Sequence, residues 1–177
     1  MAVVYITVKT IFLLQWDDWH SLNALEKNFV KEFGKIKIFQ DKIVALRSHV
    51  YWCLRECKIS LEEYQDEKTR TEAILRLQNA ILNCTRHWQG TLPDSVDENG
   101  VKFHENCSKN ARCQTQVGYV LRKDYLTKSE ANLLRNFLLN SVFIKNTEKY
   151  LLGSNTSNVE SSHRGQNVYR FVQLNIV

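Results

Sequence analysis

The stretch TKSEANLLRNFLLNSVFIKNTEKYLLG, residues 127–153, carries the strongest helix signal in the chain. Thr127 followed by Glu130 is a capping-box pattern, in which each side chain satisfies a backbone N–H at the start of a helix. Apolar residues then recur at helical spacing, and Gly153 is placed to end the helix. These apolar positions are Leu133, Leu134, Phe137, Leu138, Phe143 or Ile144, and Leu151. The stretch therefore predicts an amphipathic helix whose apolar side packs on other helices.

Three upstream stretches show the same helical periodicity. They predict a helix over residues 21–34, a second over 43–57 and a third over 60–88. The first has a serine to cap it and a glycine to end it, and the third opens with a capping box. The alternation of Ile36 and Ile38 before the second helix leaves a short strand there as an alternative.

Both ends of the chain alternate apolar and polar residues, as half-buried strands do. The alternation covers residues 4–8 and 168–177, and the polar residues 154–167 read as a flexible loop. With the helices between them, these ends predict an α+β fold. It is a single domain over residues 1–177, with about four helices and with the N- and C-terminal strands paired in a small sheet.

The composition fits one compact domain. The chain has 177 residues, of which 44% are hydrophobic, with six glycines and one proline. That is enough to bury one core and is unlike a disordered or collagen-like chain. No glycine-rich phosphate loop, G-x-S-x-G elbow or H-E-x-x-H helix occurs, so we do not expect a nucleotide-driven motor or a serine hydrolase.

The cysteines and the amino terminus bear on the cellular compartment. The first residues lack the basic region and cleavage site of a signal peptide, and they are too interrupted to span a bilayer. An odd number of cysteines, five, then favours thiols or metal ligands in a reducing compartment, either cytoplasmic or nuclear. Glycosylation sequons at Asn83, Asn106 and Asn155 leave open a secreted helical signalling protein held by disulfides.

Two pairs of metal-ligating residues flank a loop rich in turn-forming residues. Cys84 and His87 are three apart, and so are His104 and Cys107. Zinc accepts thiolate and imidazole ligands in a tetrahedron, and structural zinc sites usually use two close-spaced pairs. The pattern predicts a zinc site formed by these four residues, with Cys113 as a substitute ligand. The alternative is that the cysteines are buried apolar thiols and the histidines lie at the surface.

A basic segment follows this loop and includes tyrosines. Cationic side chains neutralise phosphates, and exposed aromatic rings stack on unpaired bases. The segment is the predicted nucleic-acid contact of a chain whose formal charge is +5. The alternative is an ordinary solvated connection with its tyrosines packed inward. The residues concerned are Lys109, Arg112, Tyr119, Arg122, Lys123, Tyr125 and Lys128.

The motifs HWQG, at residues 87–90, and YVLRK, at residues 119–123, resemble those of rolling-circle replication initiators. The resemblance implies that His87 and Gln89 hold a divalent ion, that Tyr119 attacks phosphorus and that Lys123 steadies the charge. A glutamine stands where most members of that family have a second histidine. An enzyme that nicks DNA with a metal ion is therefore an alternative function.

Together these patterns favour a small, basic, non-catalytic intracellular protein that is stabilised by zinc and contacts RNA or DNA. The main alternative is a protein-interaction or adaptor domain that works through its exposed helix faces. Salt-dependent binding to nucleic acid separates these two classes.

Overall fold

The structure is a computed structural model that describes residues 18–92, 94–119 and 125–152. These residues form nine α-helices and one 3-10 helix. The helices are α1 (Asp18–Phe33), α2 (Lys37–Gln40), α3 (Lys42–Glu56), α4 (Leu61–Gln65), α5 (Glu67–Leu82), α6 (Cys84–His87), α7 (Arg112–Thr115), α8 (Lys128–Asn140) and α9 (Val142–Lys145), followed by the 3-10 helix Thr147–Tyr150. Within the described ranges, no helix is long and apolar enough to cross a membrane.

The predicted α+β fold is wrong, because the described residues are helical and contain no strand. Their β-structure is limited to one isolated antiparallel bridge between Val96 and Lys102. The residues assigned to the two terminal strands and to the flexible loop, 4–8, 168–177 and 154–167, lie outside the described residues. The helical core that the sequence predicted is present.

The alternative strand at residues 36–38 is also wrong, because residues 37–40 form the helix α2. The side chain of Phe39 is fully buried. Its ring centroid lies 4.5 Å from that of Phe33 and 6.0 Å from that of Phe29. One helical turn therefore directs Phe39 into the core, a tertiary contact that the local alternation of Ile36 and Ile38 does not show.

Two of the predicted helices are interrupted at polar residues. At Asp66 the backbone is extended, and its carboxylate accepts a hydrogen bond from the Thr69 N–H at 2.8 Å, so α5 starts anew. At Ser141 the backbone is again extended, and the serine Oγ accepts from the Ile144 N–H at 3.2 Å. Short polar side chains of this kind compete with the helix for backbone hydrogen bonds. The helices predicted over 60–88 and 127–153 are therefore each divided.

The core lies between α1, α3, α5 and α8. Helix α1 packs on α3, α3 packs on α5, and α5 contacts α8. Four aromatic rings meet where α1, α2 and α8 come together, and Phe29 is at their centre with no exposed surface. Aromatic rings at these distances and edge-to-face angles add to the energy of burial. The four are Phe29, Phe33, Phe39 and Phe137.

The chain leaves this core after α6 and returns to it just before α8. The Leu126 N–H donates a hydrogen bond to the Trp88 carbonyl at 2.8 Å, and both side chains belong to the hydrophobic core. Among the described residues, none between Trp88 and Leu126 belongs to that core. We call residues 91–119 the insert segment. Apolar packing on the core therefore does not hold it in place.

We predict that Phe29→Ala lowers the free energy of unfolding by about 3–5 kcal/mol, because it leaves a cavity among the four aromatic rings. Val44→Ala is the matched control, since that side chain is 72% exposed. It should change the free energy by less than about 0.5 kcal/mol. Urea denaturation followed by circular dichroism measures both values. Equal losses in the two variants would contradict this description of the core.

Candidate metal centre

Two histidines and two cysteines from different parts of the chain converge on one point. His87 is the last residue of α6, His104 and Cys107 lie in the turns of the insert segment, and Cys113 is in α7. One ligand atom from each of the four residues lies within 4.8 Å of all the others. His104 and Cys113 are buried, while His87 and Cys107 are half-buried. The group could hold a metal ion.

The distances within the group approach those of a tetrahedral site. The Nδ1 atoms of His87 and His104 are 3.0 Å apart. The Cys107 Sγ lies 3.2 Å from the His87 Nδ1 and 3.8 Å from the His104 Nδ1. A zinc ion with bonds of about 2.0–2.3 Å places its ligand atoms about 3.3–3.8 Å apart. The ligand atoms of His87, His104 and Cys107 are thus spaced much as three corners of such a tetrahedron, and the Cys113 sulfur lies within 4.8 Å of each of them.

A tight turn in the insert segment returns the chain towards His87. The Asp97 carboxylate accepts hydrogen bonds from the Asn99 N–H at 2.9 Å and the Val101 N–H at 3.0 Å. Gly100 has a φ of 78°, which glycine adopts without strain. Arg86 forms an ion pair with Asp97 at 3.1 Å. Because Arg86 precedes His87 in α6, this ion pair ties the turn to the helix that carries the first ligand.

His104 is held by close backbone contacts. The Gln114 side-chain amide donates to the His104 carbonyl at 2.8 Å, which links the His104 turn to α7. Gly90 lies against the imidazole, and a Cβ at that position would be 2.7 Å from the His104 Nε2. Glycine is therefore the residue that permits this approach.

The candidate ligands also have contacts outside the group, made by Tyr119, Asn83 and the Gly90 backbone. The Tyr119 hydroxyl is 3.4 Å from the His87 Nε2, and the Asn83 side-chain amide donates to the Cys107 Sγ at 3.5 Å. The His104 Nε2 is buried beside the Gly90 backbone without a well-aligned hydrogen-bond partner. With Nδ1 on a metal, each histidine would carry its proton on Nε2. Outer contacts of this type fix the orientation of metal-binding imidazoles.

The electrostatics of the group favour uncharged ligands in the absence of a cation. Burial, followed by the nearby His104, lowers the pKa of His87 to about 4. Burial also lowers the pKa of His104. Burial, with Cys113 nearby, raises the pKa of Cys107 to about 12, and burial raises the pKa of Cys113. A divalent cation reverses this preference at the sulfurs, since it stabilises thiolates.

Cys84 is not among the four grouped residues. It belongs to the hydrophobic core with no exposed surface, and burial raises the pKa of its thiol. Cys113, the substitute ligand of the sequence prediction, lies in the group beside His87, His104 and Cys107. The spacing of Cys107 and Cys113 matches no paired-ligand motif. The sequence therefore indicated Cys113 only as a substitute ligand. The short helix α7 is what brings it into place.

The predicted nucleic-acid residues divide into three sets. Lys109, Arg112 and Tyr125 are exposed. Tyr119 is half-buried against His87, and Lys128 pairs with Glu98. Arg122 and Lys123 lie outside the described residues.

The residues of the rolling-circle alternative come together only in part. The Tyr119 hydroxyl is near the imidazole of His87, whereas the Gln89 side-chain amide donates to the Thr85 carbonyl at 3.0 Å. Lys123 is outside the described residues, and within the described ones His87 is in a helix and no sheet is present. No known protein family, curated protein or solved structure matches this chain. The geometry of the site is therefore the basis for any functional conclusion.

We predict that Cys113→Ser weakens zinc binding by more than about 100-fold, beyond the 10–100-fold typical of losing an outer contact. Cys84→Ser should leave zinc affinity unchanged. The two residues are a matched pair, because both thiols are buried and only Cys113 is in the group. Competition with a chromogenic chelator measures both affinities. Loss of zinc in Cys84→Ser with retention in Cys113→Ser would contradict the ligand set.

Proposed function

We propose that His87, His104, Cys107 and Cys113 bind one zinc ion and that this ion has a structural role. Two thiolates and two imidazoles are the ligands that zinc prefers, whereas magnesium and calcium favour oxygen ligands. Four protein ligands would complete the tetrahedral coordination of zinc. Catalytic zinc sites instead keep a position open for water or substrate. The ligand set therefore favours a structural ion.

This proposal rests on which side chains of the insert segment are buried. Among the described residues of the segment, the buried side chains are those of His104 and Cys113, and both are in the ligand group. None of its described residues belongs to the hydrophobic core. A metal ion can supply the free energy that a small domain lacks when it has no apolar core of its own. Zinc would supply this free energy for the insert segment.

We predict that the protein purified without chelator contains about one equivalent of zinc, and that removing the zinc loosens the insert segment alone. Amide hydrogen exchange should then accelerate over residues 91–119. It should stay slow in α1, α3 and α5, whose contacts do not involve the metal. Mass spectrometry resolves the segments.

Cys113→Ser without chelator should reproduce the exchange pattern of the zinc-free protein, and Cys84→Ser should resemble the wild type. Unchanged exchange over residues 91–119 after complete metal removal would contradict a structural role. Absence of zinc in the wild type and in Cys84→Ser would contradict the site itself.

We further propose that the zinc-held segment is part of a non-catalytic contact with RNA or DNA, in a cytoplasmic or nuclear protein. Lys109 and Arg112 are exposed, and neither forms an ion pair within the described ranges. Tyr125 is 55% exposed and follows the segment. The chain has a formal charge of +5, and none of its five cysteines forms a disulfide, which agrees with a reducing compartment. Exposed cations and an exposed aromatic ring are the side chains that contact single-stranded nucleic acid.

The competing proposal is a protein-interaction domain. Several aliphatic side chains are exposed, among them Val44 at 72%, Val142 at 68% and Val117 at 99%. Exposed apolar side chains of this size can contribute to a protein interface when they are contiguous. This proposal does not require Lys109 or Arg112.

We predict that the protein binds single-stranded nucleic acid with an affinity that falls steeply as salt rises. In the double variant Lys109→Gln/Arg112→Gln, the slope of log K against log salt should fall by about 1.4, since each cation contributes about 0.7 on single strands. Arg135→Gln/Lys145→Gln is the control, because it removes two exposed cations outside the insert segment. Fluorescence anisotropy at several salt concentrations measures the slope. Salt-insensitive binding, or none, would favour the protein-interaction domain.

A further inference from the structure

Two of the five cysteines lie in the candidate metal centre, and they differ from the other three in their surroundings. The Cys107 and Cys113 sulfurs are within 4.8 Å of each other, and Cys107 is half-buried. The remaining cysteines, Cys53, Cys57 and Cys84, belong to the hydrophobic core. The two sets therefore differ in what can reach their sulfur atoms.

An open polar cleft of about 440 Å³ lies beside the metal centre. Cys113 and His104 are in its wall, together with Glu105 and the backbone turn that ends at Gly118. A cleft of this size admits a small polar oxidant such as a peroxide. Of the five described cysteines, Cys113 lines the cleft, whereas Cys107 and the three core cysteines do not.

We propose that Cys107 and Cys113 are an oxidation site, at which a peroxide converts the two sulfurs into a disulfide and the bound metal ion is released. The release of metal rests on the zinc site proposed above. The oxidation site itself needs only the two neighbouring sulfurs and the cleft.

The reaction balances with the peroxide as the sole oxidant. The Cys113 thiolate, which lines the cleft, attacks one peroxide oxygen, so that the O–O bond breaks and hydroxide leaves. The Cys107 thiolate then attacks the Cys113 sulfur of the resulting sulfenic acid and expels a second hydroxide. The sulfurs lose two electrons, and the peroxide becomes two waters after taking up two protons. The disulfide sulfurs carry no negative charge, so they no longer hold the cation.

The surroundings of Cys107 suit the second step. The Asn83 side-chain amide donates to its sulfur at 3.5 Å, which favours the thiolate and partly offsets the burial that raises the pKa of this thiol. The second step needs a modest movement, because a disulfide bond is about 2.0 Å long and the sulfurs start within 4.8 Å. The six-residue spacing from Cys107 to Cys113 closes a short loop.

Oxidation would also change the shape of the molecule. The insert segment contributes no described residue to the hydrophobic core, and two of its candidate contacts with the metal are these sulfurs. When the disulfide forms, the segment loses both metal contacts at once. One covalent event therefore weakens the attachment of the segment to the helices, which the Arg86–Asp97 ion pair would still maintain.

The test treats the zinc-loaded protein with one equivalent of hydrogen peroxide, then blocks the remaining thiols with an alkylating reagent under denaturing conditions. Peptide mass spectrometry should find a Cys107–Cys113 disulfide, and a zinc indicator should report about one ion released for each disulfide formed. Cys53, Cys57 and Cys84 should be alkylated. Cys84→Ser should react as the wild type does, and Cys107→Ser should form no disulfide.

Two outcomes distinguish this proposal from the zinc proposal. If the reduced protein contains no zinc but peroxide links Cys107 to Cys113, the oxidation site stands and the zinc site falls. If zinc is bound but peroxide leaves both sulfurs unlinked, or links core cysteines instead, the oxidation site is overturned and the zinc site is unaffected.

Discussion

The convergence of two imidazole nitrogens and two sulfurs is the constraint on which the insert segment depends. The helical core is held by apolar packing, with Phe29 fully buried among other aromatic rings. The segment has no such packing, because none of its described residues enters that core. Two kinds of force thus act in one small chain. Apolar burial organises the helices, and in our proposal metal coordination organises the connection between α6 and α8.

The helical part of the fold was predictable because its signals are local. The capping boxes at Ser60 and Thr127 are both present, and α1 ends at Phe33, one residue before the predicted stop at Gly34. The interruption at Ser141 was not predicted because apolar residues continue across it, and the one at Asp66 because residues 65–72 contain no apolar residue that could mark a break. Their cause is a side chain that replaces a backbone hydrogen bond, and hydropathy does not report that competition.

The candidate metal centre was predictable only in part. His87, His104 and Cys107 are in the group, since paired ligands around a turn-rich loop are a sequence signal for metal binding. The sequence predicts Cys84 as a ligand because it precedes His87 by one helical turn. The helix instead places Cys84 in the apolar core, where a small thiol packs well. Cys113 was predictable only as a substitute ligand. Its place in the group results from tertiary structure, and its sequence spacing from the other ligands does not indicate it.

The hydrogen bond from Leu126 to the Trp88 carbonyl places the two ends of the connection side by side. A loop whose ends already meet can change in length at small cost, since doubling a flexible loop costs only about 0.6 kcal/mol in closure entropy. The helices would then tolerate a shorter or a longer excursion at this point. The segment that carries three of the four candidate ligands could therefore be shortened or extended with little effect on the helical scaffold.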